Sequence, residues 1–123
     1  MTLFLDARIP VRFGALSEAG PDSALLIEGE DALPASRAAA GFTMPVVATG
    51  HPAGCACCAP RTPVCQALSR LFLARARGDA AFFRDVVAIT VTAAGQEAVL
   101  RALIDDPLVS AWFRLADARP ESR

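Results

Sequence analysis

Four cysteines and the chain's single histidine lie in one short stretch of this 123-residue sequence, residues 51–65. The stretch contains the run Gly54-Cys-Ala-Cys-Cys58. Cys55 and Cys58 have the C-x-x-C spacing with which two thiolates in a tight turn reach one metal ion at about 2.3 Å. Thiolate sulfurs are soft ligands that select zinc and other thiophilic ions. The sequence therefore predicts a metal site built on Cys55, Cys57 and Cys58.

Two further residues are candidates for the fourth ligand. Cys65 falls in the first turn of the helix expected after the loop, where side chains lean back toward the helix N-terminus and hence toward the other cysteines. The same position on the apolar side of the helix also suits a core cysteine. His51 lies four residues before Cys55, near enough to ligate the same ion, and it also suits a surface loop. A side chain from a partner protein is the third option.

Thiol redox chemistry is the main alternative use of these cysteines. A thioredoxin-like oxidoreductase would place Cys55 and Cys58 at a helix N-terminus, where the thiol pKa falls. Here Pro60 and Pro63 delay the next helix by several residues, which counts against such an enzyme. A second alternative is an interaction module that forms a homodimer or binds a metalloprotein relative. The hydrophobic content of 54% suits a chain with an apolar surface to cover.

The composition excludes several classes of function. All twelve basic residues are arginine, so the chain has neither a Schiff-base lysine nor the lysine of a phosphate-binding P-loop. A net charge of −1 without a basic stripe gives nucleic-acid binding little support. No apolar run approaches the roughly 20 residues of a membrane span, and the first residues lack the pattern of a signal peptide. We expect a cytoplasmic protein, in which clustered cysteines are typically metal-binding or redox-active.

The remaining polar clusters are interpreted as structural. Residues 28–31, Glu-Gly-Glu-Asp, are expected to form a solvated turn, although their carboxylates could supply oxygen ligands. Residues 105–107, Asp-Asp-Pro, are expected to stop a helix. Ser17 and Ser23 have no histidine base with supporting sequence context, so a serine hydrolase has little support.

Short apolar runs alternate with helical patterns, which predicts a small α/β domain with a mostly parallel sheet and flanking helices. Strands are expected at residues 2–5, 24–27, 44–48, 85–91 and 111–115. Helices are expected at 34–40, at 63–77 with Thr62 as N-cap and Gly78 as stop, and at 96–104. A single domain would span residues 1–118, with a frayed tail at 119–123.

The run Gly54-Cys-Ala-Cys-Cys58 resembles the G-C-x-C-C motif of the CobW-type metallochaperone GTPases, a P-loop family that handles zinc or cobalt. The surrounding pattern is similar to that family, with an apolar strand before the motif and an amphipathic helix and an aliphatic strand after it. The resemblance covers about residues 45–117. It implies a P-loop-GTPase-like core in which Cys55, Cys57 and Cys58 are the metal-binding positions, while Cys65 and His51 have no family counterpart.

The resemblance does not extend to the nucleotide site. The family opens with G-x-x-x-x-G-K-[ST] after its first strand, but here Gly14 and Gly20 are one residue too far apart. Pro21 and Asp22 stand where the lysine and the hydroxyl residue belong, and the strand at 86–90 lacks the expected acidic residue. We expect a truncated, degenerate relative that binds or transfers zinc, or a similar ion such as cobalt, without hydrolysing GTP.

Overall fold

The computed structural model describes residues 7–29, 33–34, 37–44, 62–80 and 82–116. Within these residues five parallel strands form one sheet in the order β3-β2-β4-β1-β5, with helices beside it. The strands are β1 (Ile9–Phe13), β2 (Ser23–Glu28), β3 (Ala39–Phe42), β4 (Asp85–Ile89) and β5 (Phe113–Leu115). The helices are α1 (Pro63–Arg77), α2 (Ala93–Asp105) and α3 (Pro107–Trp112). The predicted α/β class with a parallel sheet is confirmed.

β4 is the middle strand of the sheet and pairs with β1 and β2. Val86, Val87 and Ala88 are fully buried, because a central parallel strand is covered on both faces. The continuous aliphatic run seen in the sequence is the consequence. The main core fills the space between α1, α2, α3 and one face of the sheet, and it includes Val11, Leu26, Val86, Leu68, Val99 and Phe113.

The other face of the sheet holds the buried side chains of Leu25 and Val87 and a group of polar contacts. Side chains alternate along a strand, so Arg12, Ser23 and Asp85 lie on the face opposite the main core. Ser23 Oγ donates to Asp85 Oδ1 at 2.6 Å, and Arg12 Nε donates to Asp85 Oδ2 at 3.3 Å. The connection from β1 to β2 crosses here with a single 3-10 turn, Leu16–Glu18, and no α-helix.

The predicted helix after the cysteine loop is confirmed, with both of its end signals. Thr62 Oγ1 accepts a hydrogen bond from the backbone N–H of Cys65 at 3.2 Å, and Pro63 is the first helical residue. Gly78 closes α1 with φ of 78°, a left-handed conformation that glycine adopts without strain. Asp106 ends α2 and also caps α3, accepting from Val109 N–H at 2.9 Å.

The helix predicted at 34–40 is wrong where the structure describes it. Ala39 and Ala40 begin β3, and Gly41 lies inside that strand. β3 pairs with β2 from Leu25↔Ala39 to Glu28↔Phe42. Helix propensity differs by less than about 1 kcal/mol per residue, so this pairing outweighs the preference of alanine for a helix. Of the strand predicted at 44–48, only Met44 is described, and it lies outside any strand.

The first and last strands also differ from expectation. The strand predicted at residues 2–5 falls outside the described residues, while β1 occupies Ile9–Phe13. Pro10 argues against a central strand here, because proline has no backbone N–H to donate. It is tolerated because β1 pairs with β4 only from Val11 onward. The last strand is shorter than predicted, because Trp112 ends α3 and stacks on Phe72 with ring centroids 4.1 Å apart.

Candidate functional site

The described residues on either side of the cysteine segment lie at the carboxyl edge of the sheet. His51, Cys55, Cys57 and Cys58 lie outside the described residues, so their prediction as metal ligands stays a prediction. The described chain leaves this edge after β3 and returns as the N-terminus of α1. Because α1 leads on to the parallel strand β4, it must begin at the edge where the strands end. Open parallel sheets bind their ligands at this edge.

Cys65 is the one predicted ligand that the structure describes. Cys65 is only 4% exposed and belongs to the main core. It also lines a cleft of about 260 Å³ between the start of α1 and the α2–α3 junction. The cleft is lined by Thr62, Cys65, Arg101, Ala102, Asp105, Asp106 and Pro107. Cys65 therefore lies in the core, as its position on the apolar side of the predicted helix indicated.

Two carboxylates near Cys65 have structural partners of their own. Asp106 caps α3, and Asp105 pairs with Arg101 at 3.7 Å on the exposed side of α2. Among the described residues, no three side chains of His, Cys, Asp or Glu come together in a group able to hold a metal ion.

The principal buried charged group of the described residues is Glu28, which the sequence placed in a solvated turn. That expectation is wrong, because Glu28 is the last residue of β2 and is 7% exposed. Glu28 Oε1 accepts from the backbone N–H groups of Val91 at 2.6 Å and Thr92 at 3.0 Å. The Thr92 hydroxyl donates to Oε2 at 2.7 Å. Glu30 and Asp31, its companions in the predicted turn, lie outside the described residues.

Glu28 therefore sits at the N-terminus of α2, where unpaired N–H groups and the helix dipole favour an anion. Thr92 is the N-cap of this helix and accepts from Gly95 N–H at 2.9 Å. A Cβ on Gly95 would overlap the Glu28 carboxylate. The glycine thus allows the strand-end carboxylate to approach the helix closely, and the protein's own side chain fills a position suited to a ligand's anionic group.

The hydrogen bonds decide the ionisation of Glu28. Burial alone raises the pKa of its carboxyl group, because it disfavours the charged form. The bonds from the Thr92 and Val91 backbone and from the Thr92 hydroxyl lower it by more. The net result is a pKa below the ordinary value of 4.5, so Glu28 is a carboxylate at neutral pH.

Neither candidate serine has the surroundings of a nucleophile. Ser23 is 5% exposed and its hydroxyl is committed to Asp85. Ser17 lies exposed on the 3-10 turn.

Residues 14–22, the segment whose sequence was compared with a P-loop, do not have the geometry of a phosphate-binding loop. A P-loop wraps phosphates at the N-terminus of the helix that follows it. Residues 14–22 are all described, and they lead from β1 through the 3-10 turn directly into β2. Residues 14–22 thus lack the P-loop sequence and also lack the following α-helix whose N-terminus would bind the phosphates.

Comparison of the chain with protein-family models, with curated proteins and with solved structures finds no match. Within the described ranges, no helix combines the length and apolar character needed to cross a bilayer.

The sequence alone does not indicate that Glu28, Thr92 and Gly95 form one cluster. Two local signals were present: Glu28 directly follows a buried strand, and Thr92 precedes a helical pattern. Their meeting depends on β2 and β4 being neighbours in the sheet, which no local pattern specifies.

Proposed function

We propose that this protein binds a thiophilic divalent metal ion, most simply zinc, through Cys55, Cys57 and Cys58. The observation that carries the proposal is the run Gly54-Cys-Ala-Cys-Cys58 in a loop whose far end is the capped N-terminus of α1. Three thiols within four residues meet the ligand requirement of a structural or transfer site for zinc.

The anchoring of α1 supports this proposal. Four residues of fully extended chain span at most about 14 Å, which limits the distance from Cys58 to Thr62. Cys58 must therefore lie within about 14 Å of the start of α1, near the carboxyl edge where α/β proteins commonly bind ligands. Cys65 is buried but also lines the cleft at the start of α1, so Cys65, His51 and a side chain of a partner protein are the candidates for the fourth ligand.

The proposed role is binding, buffering or transfer of the ion without nucleotide hydrolysis. The direct passage from β1 to β2 supports this choice, since it leaves no helix N-terminus for phosphates. The relation to CobW-type proteins and the cytoplasmic location remain parts of the same proposal. The start of α1 weighs against the oxidoreductase alternative, because Pro63 lies five residues after Cys58 and the first turn caps on Thr62.

The deciding measurement is the metal content of the full chain purified without added metal. We expect about one equivalent of zinc per chain in the wild type and a near-complete loss in the Cys55→Ser/Cys58→Ser double variant. Cys65→Ala distinguishes the candidates for the fourth ligand: metal content should fall if Cys65 completes the site and stay at the wild-type level if His51 or a partner does. In either case the variant should lose about 1 kcal/mol of stability from the core. Near-zero metal in both the wild type and the double variant would overturn the proposal.

A further inference from the structure

A second cavity, of about 530 Å³, lies beside the edge strand β3. Gly29 and Leu33 bound it on one side, and the carboxyl end of β3 and the first half of α1 bound it on the others. Gly41, Thr43, Pro63 and Arg70 are also among its lining residues. The size falls within the range of about 300–1,000 Å³ typical of small-molecule sites. Its place at the carboxyl edge of an open parallel sheet is also typical of such sites.

Two glycines leave backbone open to this cavity. Gly29 has φ of 126°, which side-chain-bearing residues rarely adopt, and no atom lies within 4 Å of the place where its Cβ would stand. Its N–H donates to Phe42 O at 2.8 Å and so joins the ends of β2 and β3. At Gly41 the nearest atoms to an added Cβ are 3.6 Å away. Backbone at the two glycines therefore forms part of the cavity wall, and side chains such as those of Leu33 and Pro63 form the rest.

Arg70 supplies the cavity with a positive charge. Its guanidinium makes one long hydrogen bond, 3.5 Å to Gly41 O, and none of the described carboxylates forms an ion pair with it. Arg12, Arg84 and Arg101, by contrast, each pair with an aspartate or glutamate. None of the described lining residues is acidic. An anion that enters this cavity can therefore accept hydrogen bonds from N–H groups of the Arg70 guanidinium, which has five such donors.

We propose that this cavity binds a small organic carboxylate. The planar guanidinium of Arg70 matches a carboxylate with two parallel hydrogen bonds. The side chains of Leu33 and Pro63 provide an apolar wall for the body of the ligand. The proposal goes beyond metal binding and does not depend on it, so the Cys55→Ser/Cys58→Ser variant should bind the carboxylate as the wild type does.

Phenylacetate is a suitable probe, followed by amide chemical shifts in NMR titrations of the full chain. We expect saturable shifts at the lining residues Gly29, Gly41 and Thr43, with a dissociation constant of about 1 mM. Phenylacetamide, the uncharged analogue, should bind about tenfold more weakly or worse, because it cannot form the charged pair.

Arg70→Gln should weaken phenylacetate binding about tenfold or more. Arg77→Gln is the matched control, since Arg77 is exposed on the same helix and does not line the cavity, and its binding should equal that of the wild type. Equal effects of the two substitutions, or shifts that never saturate, would overturn the proposal. Displacement of phenylacetate by an equal concentration of inorganic phosphate would also overturn it, because a bare oxyanion would then suffice.

Discussion

At the scale of single residues, Glu28 has the strongest structural role among the described charged groups. Its carboxylate joins the end of β2 to the start of α2 through three hydrogen bonds. Two of them satisfy backbone N–H groups that have no acceptor within the helix. The side chain therefore acts as an internal anion that locks the carboxyl edge of the sheet to a helix.

We predict that Glu28→Gln lowers the free energy of unfolding by about 1–3 kcal/mol at neutral pH. The amide keeps the shape of the side chain but loses the negative charge that the helix N-terminus favours. Urea denaturation measures this difference. Glu97→Gln is the control, because Glu97 lies exposed on the same helix in a surface pair with Arg101, and it should change stability by about 0.5 kcal/mol or less.

The Glu28 contribution should also depend on pH. The pKa of Glu28 in the folded protein lies below 4.5, so the folded state binds this proton less readily than the unfolded chain. The carboxylate therefore stabilises the fold above about pH 4.5, and this stabilisation is lost as the pH falls through the folded-state pKa. The stability difference between wild type and Glu28→Gln should shrink on acidification. A difference that stays constant down to about pH 2 would contradict this account.

At the scale of elements, the helices are specified locally and the edge strand β3 is not. α1 carries its own N-cap in Thr62 and its own stop in Gly78. β3 has the alanine-rich sequence of a helix and becomes a strand only by pairing with β2. α2 combines both cases. Its N-cap, Thr92, is local, whereas Gly95 is needed to make room for the Glu28 side chain from β2, which is distant in sequence.

Gly95→Ala should destabilise the protein, although the same change in an ordinary helix adds about 0.5–1 kcal/mol of stability. The new methyl group would displace the Glu28 carboxylate from its hydrogen bonds. Denaturation of Gly95→Ala, Glu28→Ala and the double variant forms a thermodynamic cycle. We expect the double variant to be more stable than the sum of the single effects by about 1 kcal/mol or more. Additive effects would show that the two residues do not compete for space.

At the scale of the whole molecule, stability should be concentrated in the central strands. β4 and its neighbours β1 and β2 form the middle of the sheet, with Val11, Leu26 and Val86 fully buried. β3 and β5 each pair with one described strand. The helices pack on one face, while the opposite face has the polar contacts of Asp85 with Arg12 and Ser23.

Native-state hydrogen exchange tests this distribution. Amides of β2 and β4 should exchange only through global unfolding, because both faces and both edges of these strands are covered. Amides of β3 and β5 should exchange faster through local opening, with a smaller dependence on denaturant. Equal protection across all five strands would contradict this expectation.

The sequence by itself determined the elements whose signals lie within a few residues of one another. The caps and periodicity of α1, the periodicity of α2 and the aliphatic run of β4 predict those elements, and the cysteine spacing supports the metal hypothesis. Only the tertiary structure decided that residues 39–42 form a strand, that Cys65 packs in the core and that Glu28 is buried against α2. The physical reason is the separation of the interacting residues along the chain. The helix cap of α1 joins residues three apart, whereas Glu28 bonds to Val91 and Thr92, which follow it by 63 and 64 positions. Such contacts exist only once β2 and β4 lie side by side.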